Sequence, residues 1–164
     1  MRKTHQAIRG LALAAIGLAA FAPRAQSQNR TEVTISEAGA TPENLTSSLD
    51  GTVYFGSTSK GTIYRAAPGS SQAEPWILAS AAGLSNVYGL LADDKSNTLW
   101  VCQNSTGGRG GAPVVGQTAL RSFDLKSGVA RGTYPFPASS GVCNDIAVAA
   151  NGVVYASESF RGRI

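Results

Sequence analysis

Histidine is nearly absent from this 164-residue chain: the single one, His5, stands near the N-terminus. Without that segment, the residues present cannot form a Ser-His-Asp triad, a Cys-His pair or a histidine-ligated zinc site. Chemistry is left to carboxylates, amides, hydroxyls, or a hard metal bound through oxygen. Cysteine is almost as scarce, with only Cys102 and Cys143. A membrane-spanning apolar run is missing as well. Gly10 to Ala22 is uncharged and mostly apolar, but it falls short of the roughly 20 residues that a bilayer needs.

A basic surface is also missing once the N-terminus is set aside. Arg2, Lys3 and Arg9 precede the apolar run, and Ala25-Gln26-Ser27 follows it as a small-x-small cleavage pattern. This is the layout of a secretory signal peptide over residues 1–27, with the mature chain expected to begin near Gln28. An uncleaved anchor is the alternative. No cysteine near the cleavage site offers a lipid attachment point. Of the 14 Lys and Arg residues, Arg2, Lys3, Arg9 and Arg24 lie in this segment, as do none of the 10 acidic residues, so ten of each sign remain. The net charge of +4 therefore belongs to the export signal and gives no reason to expect a nucleic-acid partner. The expectation is an exported monomer, periplasmic or extracellular, without a membrane span after cleavage.

Export allows a disulfide between Cys102 and Cys143. Closing that loop would stabilise the fold by roughly 4 kcal/mol in the chain-entropy model. Two buried free thiols are an equally good reading, because sequence cannot place two Cα atoms within bonding range.

What is present is repetition. The segments "ENLTSSLDGTVYFGST" from Glu43, "YGLLADDKSNTLWVCQN" from Tyr88 and "NDIAVAANGVVYASES" from Asn144 align. Each has an apolar strand, a polar turn and a second strand with a central aromatic: Tyr54, Trp100 and Tyr155. Asp50-Gly51 and Asn151-Gly152 are strong hairpin signals. "GTIYRAAPG" and "AEPWILAS" follow the first copy, and "ALRSFDLKSG" and "ARGTYPF" the second, so a full unit has about four antiparallel strands. The longer second spacing is accounted for by the insertion "NSTGGRGGAPVVGQ", Asn104 to Gln117, expected to be a surface loop. It is not a phosphate loop, since it lacks the Lys-Ser/Thr end and the helix after it. "NST" and "NLT" are glycosylation sequons that matter only in a host that glycosylates.

Four strands in about 40–50 residues suggest the blade of a β-propeller in an all-β fold. About two and a half blades are present, so the expectation is that 28–164 is the N-terminal part of one propeller, continued beyond Ile164. In such a ring each inner strand runs along the central channel. Glu43, Tyr88 and Asn144 would start those strands at the channel mouth. Glu and Asn oxygens are ligands a hard cation such as calcium takes. A solvated turn role for Glu43, and backbone-capping for Asn144-Asp145, stay open. Tyr88 reads best as packing that shapes a substrate pocket.

"TPENLTSSLDGTVYFGST", "LLADDKSNTLWVC" and "CNDIAVAANGVVYASES" resemble the senescence marker protein, gluconolactonase and luciferin-regenerating enzyme family, with the related paraoxonases. The resemblance runs from about Thr41 to Ile164. It implies a six-bladed propeller with a divalent metal, commonly calcium, in its channel, and a lactonase, in some branches an aryl esterase or organophosphatase. It assigns Glu43 and Asn144 as metal ligands and makes Asp145 similar to the paraoxonase aspartate that serves a second, structural calcium. Asn44 departs from that two-calcium pattern, which would place an acid there. The remaining ligands and the general base are expected beyond Ile164. A non-catalytic propeller used for binding or scaffolding is the competing reading.

Overall fold

The computed structural model describes residues 32–105, 117–137 and 141–164. The expected signal segment and all but the ends of the Gly-rich insertion lie outside them. Short runs of β-branched and aromatic residues, broken by Gly, Asn and Asp, give an all-β fold. Its strands are β1 (Thr34–Ile35), β2 (Pro42–Ser47), β3 (Val53–Ser57), β4 (Ile63–Ala66), β5 (Gln72–Ile77), β6 (Val87–Asp93), β7 (Thr98–Gln103), β8 (Ala119–Asp124), β9 (Ala130–Pro135), β10 (Cys143–Val148) and β11 (Val154–Glu158). A single helical turn, α1 (Ala79–Ala82), links β5 to β6. Among the described residues, no helix is long and apolar enough to cross a membrane.

The strands form three sheets: β1-β5-β4-β3-β2, β6-β7-β8-β9 and β10-β11. Within each, sequential strands are antiparallel neighbours. Sequence reading missed β1, which pairs parallel to β5 and covers the outer edge of the first sheet. Two residues leave too little pattern to be recognised without their partner strand.

The first two sheets enclose a core built on Ile63, Val87, Leu99, Val101 and Phe123, all fully buried. A second core, around Cys102, Leu120, Cys143 and Ile146, lies between the second and third sheets. Strands β2, β6 and β10 sit at these seams: β6 packs on β2 and β3, and β10 packs on β6 and β7.

The three copies agree in their hydrogen bonding. The N–H of Thr58 donates to the Thr41 carbonyl (3.0 Å), that of Asn104 to Asn86 (3.1 Å) and that of Ser159 to Val142 (3.0 Å). The hairpin turns differ from a two-residue Asn-Gly turn. Gly51 and Gly152 both have φ of +87°, while Asp50 and Asn151 stay at negative φ. Each glycine N–H donates back to the third preceding residue, Ser48 or Ala149. These are three-residue loops that end in a left-handed glycine, which a residue with a Cβ adopts only at a cost.

Candidate functional site

Strands β2, β6 and β10 each carry an irregularity at the same place. Pro42 pairs with Ser57 and Leu45 with Phe55, so Glu43 and Asn44 together oppose Gly56. Val87 pairs with Gln103 and Leu90 with Val101, so Tyr88 and Gly89 oppose Cys102. Cys143 pairs with Glu158 and Ile146 with Ala156, so Asn144 and Asp145 oppose Ser157. Two residues against one is a β-bulge, which bends the strand and re-aims its side chains. The alignment of Glu43, Tyr88 and Asn144 in sequence is thus an alignment of three bulges. A bulge also explains why poor strand formers such as Asn144 and Asp145 are tolerated there.

The three bulges lie at one end of the sheets, and the hairpin turns lie at the other. Glu43 and Asp145 are exposed, and Tyr88 and Asn144 are half-buried. Partial burial raises the Glu43 carboxyl above the usual range, and the negative charge of Asp145 adds to the rise. Burial likewise raises the Tyr88 phenol, with Glu43 contributing. Glu43, in the first sheet, is therefore within electrostatic reach of Asp145 in the third and Tyr88 in the second. Asp145 is held locally: its N–H donates to Ser157 Oγ (3.0 Å), and its Oδ1 accepts the N–H of Ile146 (2.8 Å). Asn44 is occupied differently. Its Oδ1 accepts the N–H of Leu90 across the seam (3.4 Å). That bond links the first two sheets beside the second bulge.

No protein-family model matches this chain, and no curated protein matches it.

Among the described residues, no three acidic, histidine or cysteine side chains converge as a complete metal cluster. What the bulges offer is a partial donor set: the Glu43 carboxylate, raised in part by the charge of Asp145, the Asp145 carboxylate and the Asn144 amide. That set suits a hard cation, which would offset the negative charge and prefers oxygen. A cleft of about 890 Å³ lies at the opposite, hairpin end, lined by residues such as Asp50, Arg65, Asp94 and Lys126. Its polar groups are largely engaged with one another, as in Arg65 to Glu74 (2.9 Å) and the Leu49 N–H to Asp94 Oδ2 (3.0 Å).

Cys102 and Cys143 form a disulfide, with Cα atoms 5.1 Å apart. One half opposes the second bulge and the other immediately precedes the third. Two residues here escaped sequence reading. Gly89 lets β10 approach: a Cβ on it would stand 2.4 Å from the Asn144 carbonyl oxygen. Asn104, read as a sequon in a surface loop, is fully buried. Its Nδ2 donates to the Cys143 carbonyl and its Oδ1 accepts the Cys143 N–H, both at 2.8 Å. With both ends of its amide engaged, it is closed to glycosylation. The available signal was its place one residue past the end of β7, matching Thr58 and Ser159.

Proposed function

We propose that this chain is the N-terminal part of a β-propeller whose inner-strand bulges build a hard-cation site, with calcium the best fit. We further propose that the whole protein hydrolyses lactones or related esters, as the senescence marker protein and gluconolactonase family does. The observation that carries this reading is the threefold bulge, which puts a carboxylate, a phenol and an amide at equivalent inner-strand positions. The effect of the Asp145 charge on Glu43 supports it. Glu43 and Asn144 would hold the cation, Asp145 would add negative charge beside it, and Tyr88 would wall the pocket. When bound, the cation would supply Lewis acidity toward a carbonyl oxygen. A calcium shell takes six to eight oxygens, so the reading calls for further ligands, and a general base, from further blades. The disulfide is consistent with export to a periplasmic or extracellular compartment.

The test is lactone hydrolysis by the full-length protein, with and without chelator, in the wild type and in Glu43→Ala. The expected result is loss of activity on chelation, recovery with added calcium, and no recovery in the variant. Turnover indifferent to both chelator and Glu43→Ala would overturn the metal role. Calcium binding without turnover of any lactone or ester would leave the non-catalytic propeller as the better reading.

A further inference from the structure

The segment that brings Asn144 and Asp145 to the site is held from the second sheet at three points. Asn104 bonds both the N–H and the carbonyl of Cys143 at 2.8 Å. The disulfide joins that same residue to Cys102. The Thr118 hydroxyl donates to the Gly141 carbonyl (2.9 Å). Asn104, Thr118 and both cysteines are fully buried. The first two bulges are flanked by single bonds: the Ser57 and Thr58 hydroxyls hold Thr41, and Asn44 Oδ1 accepts the Leu90 N–H; among the described residues, no one side chain there engages both the N–H and the carbonyl of a single residue. At the places equivalent to Asn104, Thr58 bonds Thr41 through its main chain and its hydroxyl, and Ser159 bonds Val142 through the main chain, but neither side chain can engage both the N–H and the carbonyl of one residue as the Asn104 amide does.

A buried primary amide that spends both its donor and its acceptor on one residue's backbone fixes that peptide's position and orientation. Losing it would leave the Cys143 N–H and carbonyl without those partners inside the protein, where unpaired polar groups are costly. The disulfide already ties β7 to β10. The clamp controls how the chain leaves Cys143, and the next two residues are the third bulge.

We infer that Asn104, acting with the Cys102–Cys143 disulfide, is a positioning residue that holds the Asn144–Asp145 bulge beside Glu43. For its effect on ligand binding, this rests on the cation reading of that site. Asn104 touches no substrate or cation; it acts through the backbone of Cys143. Groups that orient metal ligands in this way alter affinity by about 10–100-fold when removed.

The experiment compares oxidised wild type with Asn104→Ala, disulfide intact in both, using two readouts. Amide hydrogen exchange is followed in chelator at Asp145 and Ile146, with Leu45 and Leu90 as controls. Calcium alone is then titrated calorimetrically. The expected result is exchange at Asp145 and Ile146 faster by about tenfold, with Leu45 and Leu90 unchanged, and calcium affinity weaker by about tenfold. Equal acceleration at all four amides would overturn the inference, since Asn104 would then serve only overall stability. Unchanged calcium affinity in a variant of a calcium-binding wild type would overturn it too. If the wild type binds no calcium, the cation reading fails by itself. Selective acceleration at the third bulge would then still support the positioning role, and its absence would end it.

Discussion

At the first seam, between β3 and β6, Gly56 faces Val87; at the second, between β7 and β10, the equivalent positions hold Cys102 and Cys143. A Cβ on Gly56 would stand 2.3 Å from Val87 Cγ1, so the valine fills the space the glycine leaves. The rest of that seam uses single side-chain bonds, Asn44 to the Leu90 N–H and Thr46 Oγ1 to the Ala92 N–H (3.1 Å). The second seam is covalent, with the Asn104 clamp beside it and a direct approach of Gly89 to the Asn144 backbone. Both seams join copies of one unit through the same strand positions. At β2, β3 and β6 the first is built from side-chain contacts, and side chains can change rotamer and repack. The second adds to its side-chain packing a covalent bond and backbone contacts that cannot yield locally. The seam with less freedom is the one that carries the Asn144–Asp145 pair.

The largest expected effect on this contrast comes from removing the covalent tie. Cys102→Ala with Cys143→Ala should lower unfolding free energy by about 4 kcal/mol, as expected for a closed loop of this length. Urea unfolding of the oxidised wild type and the double variant measures it. A loss near zero would make the two seams equivalent.

The next effect separates a backbone clash from a side-chain clash. Gly89→Ala drives its methyl into the Asn144 carbonyl and should cost about 3 kcal/mol, while Gly56→Ala meets only Val87 and Leu90 side chains and should cost about 1–2 kcal/mol. Adding Val87→Ala should relieve Gly56→Ala, which a double-mutant cycle would report as a favourable coupling. If the Gly56 cost survives Val87→Ala intact, the first seam is as unyielding as the second.

The smallest effect is at the polar contacts of the first seam. Thr46→Val keeps the side-chain shape but leaves the Ala92 N–H without its acceptor, and should cost about 1 kcal/mol. Asn44→Ala, at a longer bond, should cost less in the same thermal-melt comparison. If Asn44→Ala costs more than Thr46→Val, the amide does more at the bulge than bridge two strands.

Much of this arrangement was legible in the chain. Polar turns with Asp50-Gly51 and Asn151-Gly152, and central aromatics at Tyr54, Trp100 and Tyr155, placed the hairpins and put Glu43, Tyr88 and Asn144 in register. Those signals are local: a glycine at positive φ or an aromatic in a strand is chosen by its immediate backbone. The bulges were visible only as a puzzle, in the polar Asn144-Asp145 pair at the start of an apolar strand. Asn104 was misread because a sequon is defined by three adjacent residues, whereas burial of its amide depends on Cys143, distant in the chain. Gly89 looked like any strand glycine until Asn144 was brought against it.

By itself, then, the sequence determined the all-β character, the repeating hairpins and the register of three equivalent positions. These follow from alternation, turn residues and composition, all readable over a few neighbours. Only the tertiary structure decided that the two cysteines bond, that Asn104 clamps the start of β10, and that Asp145 lies near enough to Glu43 to raise its carboxyl. Each of these is a distance between residues far apart in the chain, and such distances are set by how the sheets pack.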